Sequence, residues 1–430
     1  MSEPLRIAVA GLGTVGAGTL RLLAKNGPRL AQECGRALEV HAVSARDRTR
    51  DRGVDLDNVA WYDDTVAMAA EADVDVVVEL IGGEDGVAKA VCETALAHRR
   101  HVVTANKALI AHHGVALARQ AEAADRSLAF EAAVAGGIPI VKALREGLAG
   151  NTLSRIYGIL NGTCNFILTA MRETGRDFDD ILAEAQRLGY AEADPDFDID
   201  GVDAAHKLAI LTSLAYGCEI DFDAVYREGI RNVTPLDIRY AEELGYRIKL
   251  LATARLTEHG VEQRVHPSMV AMDSPIAHVE GVLNAIVADG DFTGNTIYEG
   301  QGAGAGPTAS AVAADIADIA RGLRVPAFSV PTDALRRITP APMDSHRGAY
   351  YVRLAVTDRP GVIADIAAVL RDEQVSMEAM LQRSRAPDEA VPVVMTTHET
   401  GEAAMKRALT RIGALDTVIE PPCMIRIETL

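Results

Sequence analysis

The feature that most constrains this chain is a regular alternation of short apolar runs and alanine-rich helical stretches between residues 5 and about 130. The apolar runs are short enough to be strands, and they read RIAVAG, EVHAVS, DVDVVVELIG, HVVTAN and SLAFEA. Strands that alternate with helices pair in parallel and are covered by helices on both faces. The pattern predicts an α/β domain with a Rossmann-type parallel sheet over residues 1–130.

A glycine-rich turn follows the first of these strands. GLGTVG, residues 11–16, has the spacing GxGxxG and runs into a helical stretch. In such a turn the glycines allow a tight bend, close approach to a pyrophosphate and close helix packing, while the helix N-terminus attracts the anion. We predict dinucleotide binding here, through Gly11, Gly13, Thr14, Val15 and Gly16.

The end of the second strand bears on the choice of cofactor. An acidic residue there would hold the ribose 2′-hydroxyl of NAD, but LEVHAVS is followed by Ala45 and Arg46, with Arg48 close by. Arginine suits the 2′-phosphate of NADP, so we expect NADP(H) to be preferred and NAD(H) to be the second choice. The alternative is that both arginines lie on a solvated loop.

Two further segments follow strands of the predicted sheet. Ligands of such sheets bind beyond the carboxyl ends of the strands, so ELIGG, with Gly82, and TANKALI, with Thr104 and Lys107, are expected to edge the nicotinamide crevice. Lys107 begins a helix, where the helix dipole disfavours a positive charge. This favours a functional role, although an ordinary surface lysine stays the alternative.

Composition argues against several classes of protein. The chain has 430 residues and a formal net charge of −18, with no basic stripe of the kind that binds nucleic acid. Its five cysteines are widely spaced and lack a CxxC pair, which argues against disulfides and a zinc site and favours the cytoplasm. We find no export signal and no apolar run of the ~18 to 20 residues that a membrane span needs.

The rest of the chain divides into two parts. Residues 131–335 contain helices and then strands that alternate like an antiparallel sheet, which predicts a separate α+β domain. Residues 325–347 hold four prolines and have the composition of a linker. Residues 348–430 then follow the order βαββαβ of a ferredoxin-like unit, with SMEAMLQRS as its second strand.

The stretch DIDGVDAAHKLAIL, residues 198–211, places charges on an otherwise apolar helix. Asp203 and Lys207 are four residues apart, so they share a face and are close enough to pair. A buried lysine beside a carboxylate stays protonated, and it can supply the proton or fixed charge that a carbonyl oxygen needs when hydride reaches the carbon. A purely structural buried pair is the alternative.

The neighbouring polar residues have simpler interpretations. Asp200 belongs to a solvated acidic loop and is expected to cap the helix that follows. His206 is interpreted as an ordinary helix histidine without a role in the site. Cys164 is interpreted as a small packing residue, since free cysteines are usually buried.

Several motifs together match one family. The matching stretches, which cover nearly all of residues 6–322, are GLGTVG, VVELIGG, TANKALI, FEAAVAGGIPI, GILNGTCNFIL, EADPDFDIDGVDAAHKLAIL and GAGAGPTASAVAADI. The sequence resembles homoserine dehydrogenase, which interconverts aspartate semialdehyde and homoserine with NAD(P)(H) in threonine, methionine and isoleucine biosynthesis. The resemblance implies that residues 131–335 form the catalytic and dimerisation domain.

The resemblance also implies roles for individual residues. Lys207 would be the proton donor and acceptor, supported by Asp203, with Lys107 assisting at the carbonyl end of the cleft. Glu192 and Asp198 fall where the family holds the amino group of the substrate, a contact that suits carboxylates. The other implied contacts are Asn161 and Thr163 to the substrate and Gly304 to the cofactor.

FEAAVAGGIPI matches the segment in which the family binds a monovalent cation, usually sodium. The implied ligands are Glu131 and the backbone carbonyls of Val134, Gly136 and Ile138. Hard oxygen ligands are what an alkali cation prefers.

Residues 348–430 resemble an ACT domain, whose signature here is DRPGVIADIAAVL, residues 358–370. This implies feedback inhibition by threonine and a homo-oligomer, a dimer or a tetramer, formed through the middle and ACT domains. RPG would also suit a simple turn that begins a helix. No aspartate kinase domain precedes the glycine turn, so the monofunctional form is expected.

Two other functions compete with this one. Another ACT-containing dehydrogenase, acting on a hydroxy acid, would use a histidine paired with a carboxylate where this chain offers a lysine. A non-catalytic regulator would bind nucleotide and amino acid without any hydride transfer.

Overall fold

A computed structural model of the chain describes residues 3–383 and 389–430, so Ser384, at the end of the predicted strand SMEAMLQRS, lies outside the described residues. The described residues form two β-sheets with helices packed on them. Within these ranges no helix combines the length and the apolarity that crossing a membrane requires.

The first sheet has six parallel strands. They are β1 (Leu5–Ala10), β2 (Leu38–Ser44), β3 (Ala60–Tyr62), β4 (Val76–Glu79), β5 (His101–Thr104) and β6 (Leu128–Ala129). Their order is β3-β2-β1-β4-β5-β6, and each neighbouring pair is parallel. The direction of the winding reverses between β1 and β4, which opens the crevice where such sheets bind dinucleotides.

Helices that alternate with these strands are α1 (Thr14–Cys34), α2 (Thr65–Glu71), α3 (Val87–Ala97) and α4 (Lys107–Ala124). The central strands β1 and β4 are buried almost throughout, which explains their unbroken apolar sequences. Helix α4 begins at Lys107 because the side chain of Asn106 accepts a hydrogen bond from the N–H of Leu109. The predicted Rossmann-type sheet is confirmed.

The middle part combines helices with a mainly antiparallel sheet. Its helices are α5 (Ile140–Lys142), continued by a π-helical turn over Ala143–Gly147, α6 (Gly162–Thr174), α7 (Phe178–Leu188), α8 (Asp196–Ile199), α9 (Val202–Tyr216), α10 (Pro235–Glu243) and α11 (Ala305–Ala320). Its strands are β7 (Leu153–Ile159), β8 (Tyr226–Arg227), β9 (Tyr246–Thr257), β10 (Gly260–Ala271), β11 (Leu283–Gly290) and β12 (Gly294–Gln301). Short 3-10 turns lie at Glu131–Ala133, Pro275–His278 and Met343–Ser345.

The C-terminal part has the predicted βαββαβ order. Its elements are β13 (Arg347–Thr357), α12 (Val362–Asp372), β14 (Met377–Leu381), β15 (Ala390–Thr397), the two-residue β16 (Thr400–Gly401), α13 (Glu402–Gly413) and β17 (Cys423–Glu428). β17 pairs with β13 on one side and, in parallel, with β10 on the other. The middle and C-terminal parts therefore share one sheet, ordered β12-β11-β7-β9-β10-β17-β13-β15-β14.

Residues 325–347, which have the composition of a linker, are packed against the rest of the molecule. Phe328 is fully buried, and its ring centroid lies 5.1 Å from that of Phe130. Val261 and Pro340 form an isolated bridge. The segment predicted as a linker thus packs on the molecule, with Ala327 and Phe328 buried and most of its other residues partly or fully exposed.

Helix α11 returns from the middle part to the nucleotide-binding sheet. A Cβ atom at Gly18 of α1 would lie 2.8 Å from the carbonyl oxygen of Ala305, so glycine is what lets the two helices approach. Val312 and Ile316 are fully buried in the apolar core of the parallel sheet. Helix α11 thereby joins the glycine turn to the segment before it, residues 301–304.

Candidate active site

A cleft of about 750 Å³ lies between the carboxyl edge of the parallel sheet and the helices of the middle part. Ten of the residues that the sequence nominated line it: Val15, Lys107, Gly136, Asn161, Thr163, Glu192, Asp198, Asp203, Lys207 and Gly304. Residues from widely separated stretches of the chain, from the start of helix α1 to the N-terminus of helix α11, thus meet at one place.

The centre of the cleft is a carboxylate between two lysines. Lys207 donates to Oδ2 of Asp203 at 2.7 Å and to the carbonyl oxygen of Leu160 at 2.7 Å. Nζ of Lys107, from helix α4, is 3.0 Å from the other oxygen, Oδ1 of Asp203. The spacing of residues on α9 predicts the first pair, and only the fold brings Lys107 to the second oxygen.

The electrostatics of this cluster follow from burial and charge. Burial would raise the pKa of the Asp203 carboxyl, but the ammonium groups of Lys207 and Lys107 outweigh it and hold this pKa well below its ordinary value. The negative charge of Asp203 in turn raises the pKa of Lys107. The pKa of Asp198 is raised, first by burial and then by repulsion from Asp203.

Asn161 links the two aspartates. Its amide nitrogen donates to Asp203 at 2.8 Å and to Asp198 at 2.9 Å, while its amide oxygen caps helix α6 by accepting from the N–H of Cys164. Thr163 donates to the carbonyl oxygen of Tyr190 at 2.7 Å. The NGT loop is therefore fastened to the acidic segment opposite.

The glycine turn has the shape that a pyrophosphate needs. Gly11 has a φ of +96°, and a Cβ there would lie 2.6 Å from the carbonyl oxygen of Leu80. A Cβ at Gly16 would lie 2.0 Å from the carbonyl oxygen of Gly11, whereas one at Gly13 would meet nothing within 4 Å. The turn thus packs tightly on the sheet side and stays open at Gly13, which fits a dinucleotide.

The loop after β4 is organised by a residue that the sequence analysis did not single out. Glu79 is fully buried, and it accepts hydrogen bonds from the N–H groups of Ile81 and Gly82 and from the hydroxyl of Thr104. Thr104 also accepts from the N–H of Asn106. The side chain of Thr104 therefore supports the two loops beneath the cleft, and Gly82 lies within the loop that Glu79 holds.

The end of β2 lies beside the glycine turn, since the N–H of Gly11 donates to the carbonyl oxygen of Ser44 at 2.9 Å. Arg46 follows two residues later and is exposed. Arg48 and Arg52 stack over the ring of the single tryptophan, and Arg52 also donates to a carbonyl of the glycine turn at 3.0 Å. Arg46 is thus placed at the ribose end of the expected cofactor site.

Glu131 is buried where the chain leaves the parallel sheet. Its carboxylate accepts from the N–H groups of Val141 and Lys142, both at 2.9 Å. Burial, and then repulsion by Asp315, raise the pKa of Glu131 to about 7. A nearby positive charge would stabilise the ionised form of this carboxylate.

The three carbonyl groups nominated as cation ligands follow in a tight turn. Ala135 and Gly136 have left-handed backbone, with φ of +55° and +40°. The carbonyl of Ile138 accepts from the N–H of Ile140, while none of the turn and loop hydrogen bonds of residues 3–383 and 389–430 ends on the carbonyls of Val134 or Gly136. Carbonyl oxygen atoms are the hard ligands that an alkali cation prefers, so the chemistry of these groups suits one.

The structure also adds residues to the cleft. Those not nominated from the sequence include Tyr190, Asn284, Gln301 and Thr308. Oδ1 of Asn284 is buried without a hydrogen-bond partner among the described residues. Nothing in the sequence marks Asn284, because it occupies an ordinary position of strand β11, and only pairing of the sheet brings it to the cleft.

Three polar residues of this region lie outside the catalytic cluster. Asp200 does not cap α9, whose N-cap is Gly201 in left-handed conformation, and it binds Arg231 at 2.8 Å instead, so the capping prediction is wrong. Cys164 is fully buried, and burial raises the pKa of its thiol, in keeping with a packing role. His206 is buried and packs against the ring of Phe222.

A dinucleotide-binding sheet that faces a lysine–aspartate pair across a cleft, with an amino-acid-binding type of domain beyond it, defines a nicotinamide-dependent dehydrogenase of amino-acid metabolism. Family models match three segments: "Homoserine dehydrogenase, NAD binding domain" over residues 11–131, "Homoserine dehydrogenase" over residues 139–317, and "ACT domain" over residues 350–416. The chain belongs to the homoserine dehydrogenase family.

Individual relatives agree over the whole length. The chain is 45% identical to a homoserine dehydrogenase of Pseudomonas aeruginosa, and the match covers 100% of both chains. It is 46% identical to the homoserine dehydrogenase of Neisseria gonorrhoeae, over 100% of this chain and 99% of that one. The crystal structure of the Thiobacillus denitrificans enzyme superposes with a TM-score of 0.93 at 45% identity, over 99% of this chain and 98% of that one. The chain is thus an NAD(P)-dependent oxidoreductase.

Proposed function

We propose that Lys207 is the acid and base of the reaction in which aspartate semialdehyde and homoserine are interconverted. The observation that carries this proposal is the position of its ammonium group, which faces the cleft while Asp203 and the carbonyl of Leu160 accept two of its three hydrogens. The third hydrogen is available to a carbonyl oxygen of the substrate. Lys107, held by the same Asp203, adds a second positive charge at that oxygen.

A bound nicotinamide cofactor supplies the hydride. Lys207 stabilises the negative charge that grows on the carbonyl oxygen and then protonates it, and in the reverse direction it takes the proton from the hydroxyl. Asp203 orients both lysines through its two oxygen atoms and favours the charged form of Lys107.

The amino group of the substrate is assigned to the acidic segment. Asp198 and Glu192 line the cleft on the side of the NGT loop, and a carboxylate is the natural partner of an ammonium group. Asn161 and Thr163 are proposed to close over the substrate and the nicotinamide. A bound ammonium group would also relieve the repulsion between Asp198 and Asp203.

We infer that NADP(H) is the preferred cofactor. The support is Arg46, exposed at the end of β2, and the absence of an acidic residue at that strand end. The solved structure of a hyperthermophilic archaeal homoserine dehydrogenase is in complex with NADPH. That enzyme is 29% identical, with a TM-score of 0.65 over 75% of this chain and 99% of that one. The assigned cofactor contacts are Gly11, Gly13, Thr14, Val15, Gly16, Gly82, Thr104, Lys107 and Gly304.

We also propose a sodium ion between Glu131 and the carbonyls of Val134, Gly136 and Ile138. It would fix the turn that lies against residues 301–304, because the N–H of Gly137 donates to the carbonyl of Gln301 at 2.9 Å. The cation would thus hold both walls of the cleft.

The remaining assignments concern regulation and assembly. We propose the domains as residues 1–130, 131–335 and 348–430, with threonine as the effector of the last, in a homo-oligomer located in the cytoplasm. Two exposed apolar side chains favour an interface at the edge strand β12, namely Ile297 in the strand and Phe292 just before it. Sedimentation of wild type and Phe292→Glu tests the interface, and calorimetric titration with threonine, with serine as the control, tests the effector.

One assay tests the catalytic proposal. NADPH absorbance is followed with aspartate semialdehyde for wild type, Lys207→Ala and Lys89→Ala, a matched change of a partly exposed helix lysine that pairs with Glu93. We expect Lys207→Ala to lower kcat by ~10²- to 10⁴-fold and Lys89→Ala to leave it unchanged. Undiminished turnover by Lys207→Ala would remove the residue from its role, and no turnover by wild type would favour the non-catalytic regulator.

A further inference from the structure

A cluster of two histidines and a glutamate lies outside the cleft. Nε2 of His206 on α9 is 3.3 Å from Nε2 of His112 on α4, and this same atom of His112 is 3.2 Å from Oε2 of Glu84, in the loop after β4. The ligand atoms of all three residues lie within 4.8 Å of one another. Three separate segments of the chain therefore bring one nitrogen or oxygen each to a single position.

Hydrogen bonding accounts for these contacts only in part. A ring nitrogen carries either a proton or a lone pair, so Nε2 of His112 cannot donate to Glu84 and accept from His206 at once, and a single proton would have to be shared between the two. A tetrahedral Zn²⁺ with bonds of about 2.0 to 2.1 Å has its ligand atoms roughly 3.3 Å apart. The two observed separations, 3.3 and 3.2 Å, match this edge length.

The ring of His206 is fixed by its surroundings. It stacks on Phe222 with centroids 4.2 Å apart and an angle of 4° between the planes, and it also stacks on Phe197. His206 is buried, whereas the side chain of Glu84 is 57% exposed. The position between them is therefore preformed on one side and open on the other, where water can complete the coordination.

We propose that His112, His206 and Glu84 form a binding site for a divalent transition metal ion of the zinc class. The wide spacing of the cysteines does not bear on this site, because its ligands are imidazoles and a carboxylate. A bound ion would tie the loop after β4 to helix α9, one residue from Lys207. Nδ1 of His206 is buried without a partner among the described residues, so the usual hydrogen bond behind a metal-bound histidine is missing and binding is weaker than at structural zinc sites.

The test is equilibrium dialysis of the metal-stripped full chain against Zn²⁺, with Co²⁺ as a coloured replacement. We expect a single equivalent of metal and the visible absorption of tetrahedral Co²⁺ in wild type, and loss of both in His112→Asn and in Glu84→Gln. His113→Asn is the matched control, because this neighbouring histidine pairs with Asp85 at 3.0 Å and lies outside the cluster. It should bind metal like wild type.

Thermal unfolding without metal establishes that the variants are folded, so that a loss of binding is a loss of ligands. Metal binding that is the same in wild type, His112→Asn and Glu84→Gln would overturn the proposal, as would the absence of a bound equivalent in wild type. Loss of binding in His113→Asn alone would place the metal elsewhere and would overturn it too.

Discussion

At the scale of residues, one carboxylate determines the character of the active site. Asp203 is 4% exposed and forms ion pairs with both Lys207 and Lys107. A buried charge is tolerated only when it is paired and hydrogen-bonded, and Asn161 supplies the extra hydrogen bond. The site is therefore a cluster in which each lysine depends on the same aspartate.

Asp203→Asn should inactivate the enzyme although asparagine has nearly the same volume as aspartate. The amide cannot balance two ammonium groups, so they repel each other and the pKa of Lys107 loses its main cause of elevation. We expect kcat to fall by ~10²-fold or more in a steady-state assay. Asp200→Asn is the control, since Asp200 binds Arg231 at the surface, and an equal loss in both variants would contradict the prediction.

At the scale of elements, the glycine turn shows how close packing shapes a binding loop. Gly16, in the first turn of α1, lies so near the carbonyl of Gly11 that no side chain fits between them. Gly27, later in the same helix, has open space where a Cβ atom would lie, with nothing within 4 Å of that position. Packing against the turn therefore requires glycine at position 16, whereas no such packing requires it at position 27.

Gly16→Ala should weaken cofactor binding and lower stability, because the methyl group forces the turn away from α1. We expect at least a tenfold rise in the Kd for NADPH and a loss of ~1 to 3 kcal/mol in the free energy of unfolding. Gly27→Ala should keep the Kd and change the stability little, since the helix preference of alanine is opposed by the contact of its Cβ with the ring of Pro28, which follows in the helix. Fluorescence titration and urea unfolding measure both, and wild-type affinity in Gly16→Ala would contradict the expectation.

At the scale of the whole molecule, the C-terminal domain is built into the sheet of the middle part. β17 lies between β10 and β13, and buried ion pairs cross the junction. Arg264 of β10 binds both oxygens of Glu428 of β17 at 2.8 Å, and Arg426 binds Glu228 and Glu402. Because breaking a buried pair is costly, this junction connects the C-terminal domain rigidly to the middle part.

The pair of Arg264 and Glu428 predicts a dependence of stability on pH. Burial would raise the pKa of Glu428, but Arg264 outweighs it and lowers this pKa to about 2, against roughly 4.3 in an unfolded chain. The pair thus stabilises the fold above pH ~4.3 and loses its effect as the pH falls towards ~2, an effect of about 3 kcal/mol. Glu428→Gln should be less stable than wild type at neutral pH, and the difference should shrink on acidification.

Urea unfolding at several pH values measures this difference. Glu420→Gln is the matched control, because Glu420 is exposed and should give a difference near zero throughout. A difference for Glu428→Gln that stays constant down to pH ~3 would contradict the assigned pairing.

Removal of residues 347–430 should destabilise the protein and not merely relieve regulation. The deletion would expose the edge of β10 and leave Arg264 without its carboxylate partner at Glu428, and exposed edges favour aggregation. We expect a low soluble yield and high-molecular-weight species in size-exclusion chromatography. A soluble, active truncated chain would show that the shared sheet is dispensable.

The amino-acid sequence determined the elements and their chemistry. Alternating apolar runs predicted the parallel sheet, and the GxGxxG turn predicted the position of the cofactor. The i, i+4 spacing predicted the pair of Asp203 and Lys207. These signals are local and follow from helix and strand periodicity. The order βαββαβ was equally readable. Arg46 was nominated from the end of a predicted strand, whereas the roles of Glu192 and Asp198 came from the resemblance to homoserine dehydrogenase.

Tertiary structure alone decided which distant groups meet. Lys107 reaches Asp203, Asn284 reaches the cleft, and Phe328 of the proline-rich segment is buried only because two sheets and their helices pack in one arrangement. The same packing joins β17 to β10. Such contacts depend on the pairing of strands far apart in the chain, and no local period encodes that pairing. Long-range packing therefore fixed the second lysine of the site and the continuity of the sheet.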